Sequence, residues 1–349
     1  MNSNKTISRI FNKKNNRSFI IAEVSANHGQ NFTNAVSLIR EAKKCGADAV
    51  KFQAYTPDTL TIDSEKKYFK VMHPQWKGQN LYKLYSKAYM PWSWFEKLKR
   101  IADSEGIVFF ATSFDKTSVD LLENLAVFIH KISSFEIVDL QLIEYIARTK
   151  KPLILSTGMA TFNEIKEAVS VAKKAGAKNI ALLKCVSSYP ASVKSMNLKT
   201  IKHMKEKFKL SVGLSDHSLG IGVSIAAVSI GAQIIEKHFT LTRKLKTSDS
   251  FFSLEPKEFK DLVDNIRIAE NAIGNVYYGL TKSEKDSRVF RRSIFAIADI
   301  KKGEKFADKN IKAIRAADGL KPKYMKNFLG KIAKTNVKKG TPVKLGFIR

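Results

Sequence analysis

Only two cysteines, Cys45 and Cys185, occur in 349 residues, so neither a disulfide framework nor a cysteine-based metal cluster is available. Cys45 closes a helical pattern in "REAKKCGADAV" and reads as a core thiol, while Cys185 ends an apolar run and faces either a core or a site. No apolar run reaches membrane-spanning length, and "MNSNKTISRIFNKKNNRSFI" lacks the apolar centre of a signal peptide. The expectation is a cytoplasmic protein with no membrane partner. Acidic side chains are scarce, 32 against 61 Lys and Arg, a formal net charge of +29. That excess raises nucleic-acid binding as a reading. The lysines are spread along the chain on polar helix faces, however, without a basic arm, zinc finger or RNA-binding signature. No nucleic-acid partner is expected, and a solubilising surface that attracts anions accounts for the charge. One glycine follows the first apolar run in "AEVSANHGQN", so the glycine-rich dinucleotide fingerprint is missing.

What is present is a core-forming composition, 44% hydrophobic and 27% charged. Eight short apolar runs recur: 18–25, 48–55, 106–113, 126–133, 151–158, 178–185, 208–215 and 232–239. Amphipathic helical stretches lie between them. "NFTNAVSLIREAKKCG" starts a helix after Asn31, and "MPWSWFEKLKRIADSEG" starts one near Pro91. "TFNEIKEAVSVAKKAG" opens with a capping box of Thr161 and Glu164 and closes on Gly176. Eight strand–helix units with short connections predict an α/β fold of parallel strands closed into a (β/α)8 TIM barrel over residues 18–274. Residues 1–17 read as a tail or short edge element, and 56–90, rich in tyrosine and carrying Trp76, as a partly helical flap over the barrel mouth. Residues 275–290 read as a linker. Residues 291–349 read as a small β-rich domain with two "KKG" turns, within a segment, 281–349, of 20 basic and 6 acidic side chains.

In such a barrel chemistry belongs at the C-terminal strand ends. The first run offers Glu23, then Asn27 and His28. The second offers Lys51 and Gln53 at period two, hence on one face. Thr112 ends the third; Lys131, Ser133 and Ser134 end the fourth; Ser156, Thr157 and Gly158 end the fifth. Cys185, Ser187 and Tyr189 follow the sixth, Ser215 and His217 the seventh, and Glu236 and His238 the eighth. Singly, a strand-end serine is a turn or cap and a lysine can snorkel to the surface. Together, two lysines, several hydroxyls, two carboxylates and two histidines make a poor core and a good pocket for a small phosphate or carboxylate. The helix start in "STGMATFNE" is expected to bring free N–H groups to the same anion. His217 and His238, on neighbouring strands, either bind one divalent ion with open positions or act as hydrogen-bonded site residues without metal. His130 alternates with Lys131 and points away from the interior.

These strand ends carry a family likeness. The segments "FIIAEVSANHGQNFTNAVSLIREAKKCGADAVKFQAYTPDTLT", "KISSFEI", "LILSTGMAT", "SVGLSDHSLGIG", "GAQIIEKHFTL" and "SFFSLEP" occur in the order found in the sialic acid synthase (nonulosonate synthase) family. The chain resembles that family over roughly residues 17–349, and within it "YTPDTLT", "LLKCVSSYPAS" and "SFFSLEP" look most like its pseudaminic branch. The resemblance implies condensation of phosphoenolpyruvate with the open-chain aldehyde of an acylamino sugar. For that branch the sugar is 2,4-diacetamido-2,4,6-trideoxy-altrose, and the products are a nine-carbon acid, used in surface glycans or on flagellin, and phosphate. Carried onto this sequence, Lys51, Thr112, Lys131, Ser134, Ser156 and Ser215 match phosphoenolpyruvate-binding positions, with Ser187 where some relatives have asparagine. His217 and His238 match metal ligands, with Mn2+ expected and Mg2+ or Co2+ as alternatives. Glu23 matches an essential carboxylate that positions water and transfers a proton, Glu236 shares that work or tunes His238, and Gln53, Tyr189 and Asp249 match sugar-facing positions. Thr247 and Ser248 replace a more usual Gly-Pro before Asp249.

The C-terminal segment resembles the antifreeze-protein-like (SAF) domain of the same family. The resemblance implies a domain-swapped homodimer in which Arg315 covers the partner's site, although Ala316 stands where relatives usually have proline. The rivals are N-acetylneuraminate or legionaminate synthesis on the same fold, a synthase making a shorter 3-deoxy keto acid, and a non-catalytic scaffold. A scaffold has no need of Lys51, Lys131, His217 and His238 together.

Overall fold

A computed structural model describes residues 10–11 and 17–348. The remainder of the expected tail, 1–9 and 12–16, lies outside the described residues. The chain divides into two compact units, the first ending at Gly274 and the second beginning at Asn275.

In the first unit each apolar run forms a strand followed by a helix. β1 (Phe19–Glu23) leads to α1 (Phe32–Lys44), and β2 (Ala49–Ala54) to α2 (Pro57–Leu60), α3 (Leu81–Ala88) and α4 (Phe95–Glu105). Then follow β3 (Val108–Ser113), α5 (Lys116–Asn124), β4 (His130–Ile132), α6 (Leu140–Arg148), β5 (Leu153–Ser156) and α7 (Phe162–Lys174). β6 (Ile180–Cys185), α8 (Lys199–Phe208), β7 (Ser211–Asp216), α9 (Gly222–Ser229), β8 (Ile234–His238) and α10 (Pro256–Ile273) complete the cycle. The strands pair in parallel in sequence order, and β8 closes onto β1 from Phe19↔Ile234 to Glu23↔His238. Local chemistry agrees with this path. Asn31 caps α1, Thr161 and Glu164 cap each other at the start of α7, and Gly176 takes a positive φ just beyond its end.

Two apolar layers result from the period of two along each strand. Outward-facing residues such as Ile20, Val50, Phe109, Leu155, Leu182 and Val212 join the helices in one cluster. Inward-facing Phe19, Ile21, Phe110, Ile154, Leu183 and Ile234 fill the barrel floor, where Ile10, expected in the tail or edge element, is fully buried with them. At Gly213 a Cβ would stand 2.2 Å from the Ile234 carbonyl oxygen, so only glycine lets β7 approach β8 there. Above the apolar floor the same inward positions turn polar, which sets the chemistry at the mouth.

The second unit pairs β9 (Arg292–Ala296) antiparallel with β10 (Ile311–Arg315) over a core including Ile294, Phe306, Phe328 and Val343. Gly303 and Gly340 hold the positive φ that its two lysine-rich turns need. In the segment read as a linker, Val276 and Tyr278 are almost fully exposed.

Candidate active site

Register places the polar tips side by side. Glu23 pairs with Lys51 on one flank and His238 on the other, Gln53 with Thr112, Thr112 with Lys131, and Ser215 with both Cys185 and Glu236. They open into one cavity of about 240 Å3. Lys51, Lys131, Thr112, Ser134, Ser156 and Ser215 line it, as do Glu23, Glu236, Gln53, Tyr189, His217 and His238. The structure therefore brings twelve of the expected site residues together. Asp249 lines an adjoining lobe. Ser187 does not line the cavity, and its Oγ lies 2.2 Å from where a Cβ on Gly158 would stand. Arg315 belongs to the second unit, where its guanidinium lies 5.7 Å from the centre of the Phe290 ring.

Both lysines are buried and their partners differ. Lys51 Nζ lies 2.6 Å from Glu23 Oε2, donates to Thr112 Oγ1 at 2.9 Å, and lies 3.7 Å from Glu236. Lys131 Nζ donates to Ser156 Oγ at 2.6 Å and also lies 3.7 Å from Glu236, whose Oε1 accepts from Ser215. Burial would raise the Glu236 pKa, but Lys131 and Lys51 outweigh it and hold the carboxyl below its ordinary value. Burial dominates at Glu23 and pushes it up to about 7 despite Lys51. Two carboxyls with opposed shifts, within reach of one lysine, are suited to one remaining ionised while the other exchanges a proton near neutral pH. Burial lowers the Lys131 pKa, and the two carboxylates oppose it. An arriving dianion with hydrogen bonds to Lys131 would restore its charge.

The imidazoles sit at the ends of β7 and β8, with His238 beside Glu23 and two residues beyond Glu236. The His217 and His238 ring centroids are 5.2 Å apart, with Tyr189 stacked 4.4 Å from His217 and Phe252 4.7 Å from His238. His217 Nδ1 donates to the Val186 carbonyl at 2.9 Å, which fixes the ring and leaves Nε2 with a free lone pair. Burial holds the His238 pKa well below its ordinary value, and its buried Nδ1 has no hydrogen-bond partner among the described residues. A fixed imidazole beside an unsatisfied neutral one is a donor set that fits a divalent cation. No group of three or more His, Cys, Asp or Glu among the described residues is placed to hold one metal ion, so an ion on the two imidazoles would keep open positions for water and substrate.

The structure corrects one expectation. The N-terminus of α7 does not face the anion pocket: Thr161 is exposed, Glu164 is half-buried, and the two hydrogen-bond each other and line no part of the cavity. Between β5 and that helix, Gly158 donates its N–H to Ser134 Oγ at 3.0 Å, and it is Ser134 that lines the cavity. The sequence places Gly158 at the end of the fifth run without giving it a role in the site. Sequence reasoning missed Tyr55, Tyr85, Phe114 and Phe135, which supply apolar wall to the cavity. Cys185, left open between core and site, faces the site with its Sγ 3.7 Å from His217 Nδ1.

A closed parallel barrel whose mouth holds paired lysines, paired carboxylates and paired imidazoles defines a barrel enzyme for an anionic substrate. The description of the NeuB family matches residues 38–278 and that of the SAF domain matches 291–349. The chain belongs to the NeuB family. It is 43% identical over 328 residues to the pseudaminic acid synthase of Campylobacter jejuni, covering 94% of this chain and 96% of that one. It is 41% identical over 325 residues to the N,N'-diacetyllegionaminic acid synthase of the same organism, covering 92% and 97%. The crystal structure of N-acetylneuraminic acid synthetase from Leptospira borgpetersenii, in complex with citrate, superposes with a TM-score of 0.70 at 36% identity, over 78% of this chain and 91% of that one.

Proposed function

We infer that the chain is a pseudaminic acid synthase, condensing phosphoenolpyruvate with open-chain 2,4-diacetamido-2,4,6-trideoxy-altrose to give pseudaminic acid and phosphate. The observation that carries this reading is the Lys51–Glu236–Lys131 array, flanked by Thr112, Ser156 and Ser215 and sharing one cavity with the His217–His238 pair. Lys51 and Lys131 take the phosphate and carboxylate of phosphoenolpyruvate, with Thr112, Ser134, Ser156 and Ser215 as hydroxyl donors and Ser187 supporting them from beside Gly158. His217 and His238 would hold a divalent ion, Mn2+ first and Mg2+ or Co2+ as alternatives, which when bound supplies polarisation of the sugar aldehyde.

The reaction forms one carbon–carbon bond, from C3 of phosphoenolpyruvate to the aldehyde carbon. Water then adds to C2, and the C2–O bond to phosphate breaks. Glu23, with its pKa near neutrality, accepts the proton of the attacking water. Glu236 remains ionised between the lysines and offsets their charge until the dianion arrives. Gln53, Tyr189 and Asp249 face the sugar. The enzyme acts as a homodimer with exchanged second units, Arg315 reaching the partner's site; the exposed Val276 and Tyr278 support a covering chain. No helix among the described residues is long and apolar enough to cross a membrane, which agrees with a cytoplasmic setting for both substrates.

The test is phosphate release from phosphoenolpyruvate against a panel of acylamino sugars, with and without Mn2+. Turnover is expected with the diacetamido-trideoxy sugar, and 18O in the bridging position should leave with phosphate. Selective turnover of N-acetylmannosamine or of the legionaminate precursor would replace the reading with its alternative, N-acetylneuraminate or legionaminate synthesis; the 41% identity to a legionaminic acid synthase keeps that alternative in view.

A further inference from the structure

The mouth cavity has a second lobe of about 430 Å3, joined to the first through Gln53, Tyr55, Tyr85, Phe135, Tyr189 and His238. Its two walls differ in chemistry. One is polar and comes from the loops after β1 and β8: Ser25 donates to Asp249 at 2.5 Å and accepts from Gln53 at 2.8 Å, with Ser248 alongside. The other comes from the flap and is largely apolar. α3 presents Leu81, Leu84, Tyr85 and Ala88 to the lobe, the i, i+3, i+4, i+7 stripe of an amphipathic helix. Val71, Met72 and Trp76 extend that wall.

This wall is anchored to the barrel loops. The Trp76 indole N–H donates to the Ser248 carbonyl at 3.0 Å, and His73 Nε2 lies 3.1 Å from the Tyr189 carbonyl oxygen. His73 and Trp76 stack at 4.4 Å, and Tyr85 meets Tyr55 edge-on at 5.6 Å. Such anchoring gives the apolar face a defined position opposite Asp249.

We propose that this flap wall selects the acceptor sugar by its apolar groups, seating the terminal methyl and an acetamido methyl against Leu81, Leu84, Met72 and Trp76 while Ser25 and Asp249 take the hydroxyls. The inference rests on the acylamino-sugar reading above. An aldehyde beside His238 leaves the rest of a six-carbon chain to extend past Gln53 and Tyr189, the residues the two lobes share. A terminal hydroxyl on that chain meets hydrocarbon and loses its water without replacement, whereas a methyl is favoured there. The specificity determinant is therefore the flap that follows β2, distinct from the anion-binding strand ends themselves.

The experiment compares two acceptors, a 6-deoxy diacetamido sugar and its 6-hydroxy counterpart, in wild type, Leu81→Gln and Met72→Gln. Wild type should favour the 6-deoxy sugar by about tenfold or more in kcat/KM. Both variants should shrink that ratio about fivefold or more, through acceptor KM, with the phosphoenolpyruvate KM within about twofold of wild type. Met72 is 81% exposed, so its replacement tests the wall even if Leu81→Gln folds poorly. A ratio that stays within twofold of wild type in both variants, or a wild type with no preference, overturns the proposal while leaving the synthase reading intact. Absence of turnover with every acylamino sugar would overturn that reading, and the selection proposal with it.

Discussion

Gly158→Ala is the substitution whose consequence is best fixed by the geometry. The added Cβ would lie 2.2 Å from Ser187 Oγ, 2.7 Å from Ser134 Oγ and 3.0 Å from Ser134 Cβ. Real Cβ atoms do not approach neighbours so closely, so both serines must move. Ser134 Oγ accepts the Gly158 N–H at 3.0 Å and lines the cavity, so displacing it takes one hydroxyl away from the proposed anion-binding set. Losing one hydrogen bond to a charged ligand costs about 1.5–3 kcal/mol, roughly ten- to hundredfold in affinity. Phosphate release should therefore show a phosphoenolpyruvate KM raised by about that factor, with the acceptor KM changed little. Ser187→Gly in the Gly158→Ala background removes the worst contact and should recover part of the loss, a non-additivity readable in a double-mutant cycle. A phosphoenolpyruvate KM unchanged by Gly158→Ala, or a double variant no better than the single, would refute the account of this wall as an anion cradle.

His28 makes a pH prediction. Burial lowers its pKa to about 4, and its Nδ1 accepts the Gln30 N–H, which requires the neutral ring. The unfolded chain takes up this proton near pH 6.5 and the folded chain only near 4, so stability falls as pH drops through that window, by roughly 3 kcal/mol in total. His28→Asn keeps an acceptor at the same place and should flatten the pH dependence of the denaturant midpoint between those values; an unchanged slope would count against it. Lys237 and Asp216 form a buried pair at 2.9 Å, away from the cavity. Lys237→Met strands the carboxylate and should cost about 3–5 kcal/mol, lowering Tm by roughly 6–20 °C; a Tm within 2 °C of wild type would contradict this. His217→Ala should weaken Mn2+ binding, measured by direct titration, by at least about tenfold and reduce turnover with it. Full activity of that variant in metal-free buffer would dispose of the imidazole pair as an ion site.

The barrel was readable because each strand needs only a local signal. A run such as "KPLILSTG" is apolar enough to be buried on both faces, and the capping box at Thr161 marks where its helix begins. Period two along a strand also makes Lys51 and Gln53, or Glu236 and His238, neighbours on one face whatever the rest of the chain does. The cavity's lysines, carboxyls and imidazoles were legible for that reason. The α7 N-terminus was misplaced because strand periodicity says nothing of how far a helix starts from the strand end. Ser25 and Asp249 meet at 2.5 Å across 224 positions of sequence, and nothing in either segment announces the other.

The sequence alone determined the order of the elements, the inward placement of polar strand ends and the second unit's turns, all consequences of local backbone preference and side-chain alternation. Only the tertiary structure decided which carboxyl stays ionised, because that depends on distances from Glu23 and Glu236 to Lys51 and Lys131 on other strands. It likewise decided that the flap turns the apolar stripe of α3 toward the second lobe of the cavity. Closure of the barrel creates those proximities and removes the water that would otherwise screen them, and neither effect exists in an extended chain.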